Sequence, residues 1–420
     1  MPEVISSLKA KVRRSFLYRP FLWRKSKRQL QWYLETRDRA FRQLPDAFAA
    51  PGYLTRSKEL LRQSWDGPRS VKSSTKSVRL FIIDRPSMVG PWFEEALARS
   101  FDVSVFSITR HKLGFLEGVD DLVSFSSGID PEDRLRRPIP SGSIDNLKQW
   151  RDRLQDDILA AVSQAHHKAP IDLCFVYGSQ AELEPGTLRR IQELGIPLAL
   201  WWLDEKHAFQ EELIGSATVH LTNSFECLRW YMAEGAAAYY FPQAIDPEIY
   251  HPRNVERDIP VSFVGAAYGQ RLDFVKRLRR AGVPIECFGP GWENGVVDDP
   301  VEIFCRSQIN LGMGFTGFSR QLVCVKERDF QVPATASLYL TTYDPELTRL
   351  FEVGREILCY RDEMDCIEQI RYYLERPDEV TQIGHAGWKR CMREHTWMHR
   401  MRGLLRWMGI LKDEQEATGG

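Results

Sequence analysis

The 420-residue sequence has no Asp-x-Asp pair, no GxSxG elbow and no Cys-x-x-Cys. The first absence argues against sugar transferases that chelate a diphosphate-bound metal through paired aspartates. The second argues against a serine hydrolase nucleophile on a strand-to-helix turn. Neither a dinucleotide fingerprint nor a P-loop supports itself, so no nucleotide cofactor is expected. No run of about eighteen apolar residues exists, so no transmembrane helix is expected. The first basic stretch lacks an apolar core and a small-residue cleavage site, so it does not read as a secretory signal. The eight cysteines are scattered, which fits a reducing compartment rather than a disulfide frame or zinc site. The expected location is the cytoplasm.

Charge of one sign is also missing: 57 Lys and Arg balance 57 Asp and Glu. No global field therefore draws the chain to nucleic acid or membrane, and any such attraction has to be local. One local excess exists. Residues 1–42 hold twelve Lys or Arg against three Asp or Glu, interleaved with Phe16, Tyr18, Phe21 and Trp23. That stretch admits attachment to an anionic membrane surface. A helical appendage docking on the enzyme or on a protein partner is the plainer reading. Nucleic-acid binding ranks third, with no motif beyond charge.

Apolar runs and helical patterns alternate from about residue 78. "VRLFIID" (78–84), "VSVFSI" (103–108), "IDLCFVYG" (171–178), "PLALWWLD" (197–204), "ATVHLTNS" (217–224) and "AAYYFP" (237–242) read as buried strands. After a polar break at 246–258 the series restarts with "IPVSFVGA", "IECFG", "INLGMGF", "SLYLTT" and "EILCYRD". A helix over 326–336 is expected before "SLYLTT". The fold class is α/β: two facing doubly wound units, whose strand C-termini would border a cleft. The expected division is a basic helical extension and linker over 1–77 and domains over 78–250 and 251–385. A terminal helix and tail over 386–420 would pack across both.

Two cations, Lys326 and Arg328, open the segment "KERDFQVPATASLYLTT". Cations at a helix start suit a bound phosphate, since backbone N–H groups and the helix dipole already favour an anion there. A solvated face, with both cations paired to Glu327 and Asp329, is the plainer reading of the charge pattern taken alone. His395 and His399 stand at i, i+4, but Thr follows His395 and no third ligand is evident, so no metal site is expected.

From about residue 259 the chain resembles the C-terminal domain of GT-B glycosyltransferases of the CgeB-like group. The residues that carry the resemblance are "KERDFQ", "VPATASLYLTT", "DPEL", "FEVGREILCY", "IRYYLERPDE" and "EHTWMHR", in the family's order. "FPQAIDPEIYHP" resembles a GT-B linker. The resemblance implies transfer of a sugar from a UDP- or GDP-sugar to an acceptor hydroxyl without a metal, in bacterial surface glycan or glycoprotein synthesis. Lys326 and Arg328 would hold the diphosphate, and the loops with Gly265, Arg271, Gly289 and Trp292 would line the nucleotide. Arg271 and Trp292 also read as a helix-start charge and a packing aromatic. Glu352 is a candidate for ribose or sugar hydroxyls, or a plain surface turn. The family's Glu is Gln331 here, and its Cys-Gly is Thr335-Ala336, which points to an altered donor, to slower transfer or to a binding-only protein.

The acceptor would sit in the N-terminal domain and would be a glycan, a lipid-linked sugar or a protein. Asp204 ends a strand, where a general base could meet a hydroxyl, though it could equally cap the next helix. Glu205, His207, Tyr177 and Ser179 lie on the same side, with loop and turn readings beside the functional one. Asp84, ending the first strand, is a weaker candidate of the same kind.

Overall fold

The structure, a computed structural model, describes residues 18–44, 52–84, 92–111, 141–203, 205–206, 209–316 and 319–413. Contacts divide the chain into two units. One runs from Gln243 to His395 and includes the chain up to Asp38; the other comprises Arg39–Pro242 and the segment from Thr396 onward.

The N-terminal unit is built on a six-stranded parallel sheet in the order β2-β1-β3-β4-β5-β6. Its strands are β1 (Arg79–Asp84), β2 (Asp102–Ser107), β3 (Leu173–Tyr177), β4 (Leu198–Trp202), β5 (Val219–Thr222) and β6 (Ala238–Tyr240). β3 and β5 are buried along their whole lengths, and β4 except for its last residue, as continuous apolar runs require when helices cover both faces. The edge strand β6 is covered by the helix Gly52–Ser64. Its Ser57 hydroxyl accepts from the Ala238 N–H at 2.8 Å and donates to the Ala238 carbonyl, satisfying an exposed edge. The terminal helix Trp397–Met408 belongs to this unit and inserts Trp397 against Phe93 and Trp201. A capping box starts it: Thr396 Oγ1 accepts from the His399 N–H, and His399 Nδ1 accepts from the Thr396 N–H.

The C-terminal unit repeats the principle with five parallel strands in the order β13-β12-β9-β7-β8. They are β7 (Ile259–Val264), β8 (Ile285–Phe288), β9 (Ser307–Leu311), β12 (Leu338–Thr342) and β13 (Leu358–Tyr360). In register, Val261 faces Ile285 on one side and Ile309 on the other, which places the core at the sheet centre. A short antiparallel hairpin, β10 (Phe315–Thr316) and β11 (Ser319–Val323), follows β9. Among the described residues no helix is long and apolar enough to cross a membrane.

The single helix expected over 326–336 is two pieces. One helical turn, Arg328–Gln331, gives way at Val332 to the 3-10 turn Pro333–Thr335, because Pro333 has no N–H to continue the ladder. Ala336 then sits at φ 55°, the left-handed conformation glycine favours, and it occupies the position where the resembled family carries Gly. The helix Pro377–Glu394 packs tightly over this turn. Added Cβ atoms at Gly384 and Gly387 would lie 2.5 Å from the Ala336 carbonyl oxygen and 2.4 Å from that of Glu356.

Candidate functional site

The chain runs from β7 outward to β8, then returns across β7 to β9 and continues through β12 to β13. The switch in direction falls between β7 and β9, and in open parallel sheets the ligand crevice lies beyond the strand C-termini at such a point. Here β7 leads into Gly265 and β9 into Gly312, and a side chain would be crowded at both. A Cβ at Gly312 would stand 2.3 Å from the Tyr339 hydroxyl, and one at Gly265 would press on the Phe263 ring. Gly289, after β8, has φ 122°, and its Cβ would lie 2.5 Å from the Gly265 carbonyl oxygen. The two loops are thus in backbone contact.

Trp292 braces that contact by donating from Nε1 to the Gly265 carbonyl at 2.8 Å while its ring meets Phe263 edge-on. Arg271 is the first residue of the helix Arg271–Arg280, whose start has no side-chain cap. Its guanidinium lies 4.3 Å from the Tyr268 ring centroid and donates to the Ala266 carbonyl at 3.1 Å. Arg271 Nε is buried with no hydrogen-bond partner, leaving a donor at the open helix start.

Arg328 comes to the same corner from the other side. Its Nε donates to the Val264 carbonyl at 3.2 Å, Nη1 donates to Gln331 Oε1, and the guanidinium packs 5.3 Å from the Phe304 ring centroid. Two of its five N–H groups are used this way, so others remain for an anion. Gln331 is 1 % exposed and donates from Nε2 to the Tyr250 hydroxyl at 2.8 Å. The amide thus accepts from Arg328 with its oxygen and donates to Tyr250 with its nitrogen; a carboxylate there would accept from both.

The turn that carries Lys326 is anchored by Asp329, itself 1 % exposed. Its carboxylate accepts the Lys326 backbone N–H at 2.6 Å and the Tyr339 hydroxyl at 2.9 Å. Burial raises the Asp329 carboxyl to about 7, against the opposing pull of these two donors. Burial likewise lifts Glu327 to about 7, with Arg328 and then Gln331 acting against it. Both carboxyls therefore titrate near neutrality. Arg328 is held by backbone, amide and ring rather than by a carboxylate hydrogen bond.

Residues 270–406 match the family model described as glycosyl transferase-like. HepE of Anabaena, solved with UDP-glucose, superposes with a TM-score of 0.51 at 10 % identity, covering 78 % of this chain and 98 % of that one. The fold is GT-B. A glycosyltransferase from Rickettsia africae gives 0.49 at 8 % identity over 82 % and 99 % of the two chains. Sucrose-phosphate synthase from Thermosynechococcus elongatus gives 0.48 at 12 % identity over 78 % and 98 %. No curated protein matches the sequence.

Within this GT-B chain Gly265, Arg271, Gly289, Trp292, Arg328 and Gln331 meet beyond the C-terminal end of β7, with Lys326 on the adjoining turn. Glu352 does not join them: it is exposed and pairs with Arg355 at 3.2 Å inside its own turn. In the N-terminal unit Tyr177 is buried against Trp201, and Ser179 donates to Glu182 Oε2 at 2.6 Å in a closed turn after β3. Glu205 is fully buried; burial, and after it the neighbouring Glu205 carboxyl, raises the Cys227 thiol and the Tyr231 hydroxyl. Asp204 and His207 lie outside the described residues.

His395 Nε2 donates to the Leu350 carbonyl at 2.8 Å, and no group of three or more His, Cys, Asp or Glu among the described residues could hold a metal ion. The sequence reading missed Tyr250, Asp329 and Tyr339, which hold the cationic turn. It also passed over the spacing Gly-x-Gly-x-x-Gly at Gly312, Gly314 and Gly317. That run leads into the hairpin β10–β11 rather than a helix, so it is no dinucleotide fingerprint.

Proposed function

We propose that this protein is a glycosyltransferase that moves a sugar from a nucleotide-sugar donor to an acceptor hydroxyl. The observation that carries the reading is Arg328, fixed against the Val264 carbonyl at the β7–β9 switch with N–H groups to spare. In transfer, the bond from the anomeric carbon to the diphosphate oxygen breaks and the nucleoside diphosphate leaves with added negative charge. Arg328, Lys326 and the open start of the helix Arg271–Arg280 would offset that charge in place of a metal. The acceptor hydroxyl bonds to the anomeric carbon and gives its proton to a base in the N-terminal unit. Asp204 is the candidate base, and Glu205, His207, Tyr177 and Ser179 are acceptor-side candidates.

The six quoted segments support placement in the CgeB-like group, with a cytoplasmic enzyme acting on a glycan, lipid-linked sugar or protein. HepE shares the fold and was solved with UDP-glucose, so uridine diphosphate sugars are the first donors to try. Gln331, standing where the family has Glu, favours a second reading, a protein that binds the donor and transfers nothing.

Incubation with a panel of UDP- and GDP-sugars, followed by nucleotide chromatography, separates these readings. Release of the nucleoside diphosphate that speeds up with acceptor supports transfer. Interconversion of the free nucleotide sugar without acceptor would instead mean an epimerase on this fold. Binding without turnover would leave the binding protein.

A further inference from the structure

The helix Tyr18–Gln43 distributes its charge unevenly. From Tyr18 to Leu34 it contains Arg19, Arg24, Lys25, Lys27 and Arg28 and no acidic residue; Glu35 is the first. Trp23, Arg24, Lys27 and Arg28 are exposed. Trp23 and Lys27 stand one turn apart, as do Arg24 and Arg28, so the four form two adjacent rows on one face. Trp23 is 63 % exposed, and the Lys27 ammonium lies 5.4 Å from its ring centroid.

Several arginines elsewhere have carboxylate partners: Arg39 with Glu211, Arg79 with Asp102, Arg306 with Asp258, Arg393 with Glu394. Arg24, Lys27 and Arg28 have none among the described residues. A chain of zero net charge has thus gathered unpaired cations around an exposed indole on one helix face.

We infer that the face formed by Trp23, Arg24, Lys27 and Arg28 docks on an anionic lipid bilayer. The cations complement headgroup phosphates, and the indole enters the boundary between headgroups and acyl chains, where an amphipathic ring is at home. A nucleic-acid duplex would satisfy the cations, but its bases are stacked inside and it offers the indole no apolar layer, whereas a bilayer meets both needs. The inference goes beyond the proposed transfer and does not depend on it. A sugar transferase held at a membrane would meet lipid-linked acceptors by diffusion in two dimensions.

Sedimentation of the full chain with vesicles tests it. Vesicles of phosphatidylcholine alone are compared with vesicles containing about one-third phosphatidylglycerol, at low and high salt. The expected result is binding to the anionic vesicles only, weakened by salt. Arg24→Glu/Lys27→Glu/Arg28→Glu should weaken it by about a hundredfold, and Trp23→Ala by about tenfold. The charge-reversed variant should keep the wild-type melting temperature and nucleotide response, which separates loss of docking from loss of fold or of donor site.

Equal binding to neutral vesicles, no binding to anionic ones, or full binding by the charge-reversed variant would overturn the inference. So would tighter binding to a DNA duplex than to the anionic vesicles at the same salt, since the partner would then be a polyanion without an apolar layer.

Discussion

In the N-terminal unit the strand ends run into aromatic packing, whereas in the C-terminal unit they run into glycines. β4 delivers Trp201 into a cluster with Phe93, Phe175, Phe241 and Trp397, and β3 ends in the closed turn of Ser179 and Glu182. β7, β8 and β9 instead lead into Gly265, Gly289 and Gly312, where a side chain would crowd a ring, a carbonyl and a hydroxyl in turn, and Arg271, Trp292 and Arg328 gather around them. The two sheets share winding and core chemistry. What differs is the loading of the C-terminal edge, where backbone is bared and cations are held in place. A parallel sheet sets where a site can form; the loops decide whether one does.

The largest expected effect sets one glycine against another. Gly289→Val should destabilise the C-terminal unit by about 3–5 kcal/mol, since φ 122° and the Gly265 carbonyl both oppose a side chain. Gly186→Ala, with nothing within 4 Å, should change stability by less than about 0.5 kcal/mol. Urea unfolding followed by circular dichroism measures both. Similar values for the two would break the contrast.

Next come the two indoles. Trp201→Phe removes a buried N–H bond to Phe241 and leaves a gap in the aromatic cluster, at a cost of about 2–3 kcal/mol, without affecting nucleotide binding. Trp292→Phe should cost only about 1–2 kcal/mol and should lower nucleotide affinity several-fold, because the Gly265 loop loses its brace. Melting curves with and without UDP sort one from the other. A Trp292→Phe protein with wild-type affinity would confine that residue to packing.

The pH dependence of stability divides the units in another way. Burial raises Asp329 and Glu327 to about 7, so the folded C-terminal unit holds protons that the unfolded chain has already lost above about pH 4. Their contribution is full below the unfolded value and is lost as pH climbs to about 7. In the N-terminal unit burial, then hydrogen bonding to Glu94, raises Asp84 to about 9, so its loss continues to that pH. Melting temperature against pH should therefore fall less between 4 and 7 in Asp329→Asn. Between 7 and 9 it should fall less in Asp84→Asn. Unchanged slopes would show that these carboxyls titrate normally.

The smallest effect is a gain. Ala336→Gly relieves a left-handed residue and should stabilise the C-terminal unit by about 0.5–1 kcal/mol, read by the same urea curves.

The strand runs were legible because residues such as 259–264 and 173–177 are mostly apolar stretches bounded by polar or glycine signals. Pro333 in the sequence already marked the helix break, but the expected span ran through it. The hairpin β10–β11 escaped because its nine residues mix Phe, Thr, Arg and Gln without a clean alternation. In the site, Arg328 and the glycine loops were readable from charge and resemblance. Tyr250 was not, since it meets Gln331 across 81 positions of sequence, and no periodicity encodes such a pairing. Asp329 looked like a surface charge beside Arg328 until its burial against Tyr339 gave it an anchoring role.

One titration tests the central claim most directly. Wild type and Lys326→Ala/Arg328→Ala are melted with increasing UDP, GDP, ADP and the matching nucleotide sugars. The account predicts that one base class raises the wild-type melting temperature and that the double variant, folded in their absence, loses that shift. A double variant that keeps the full shift, or a folded wild type that responds to none of them, would contradict a diphosphate site at the β7–β9 switch.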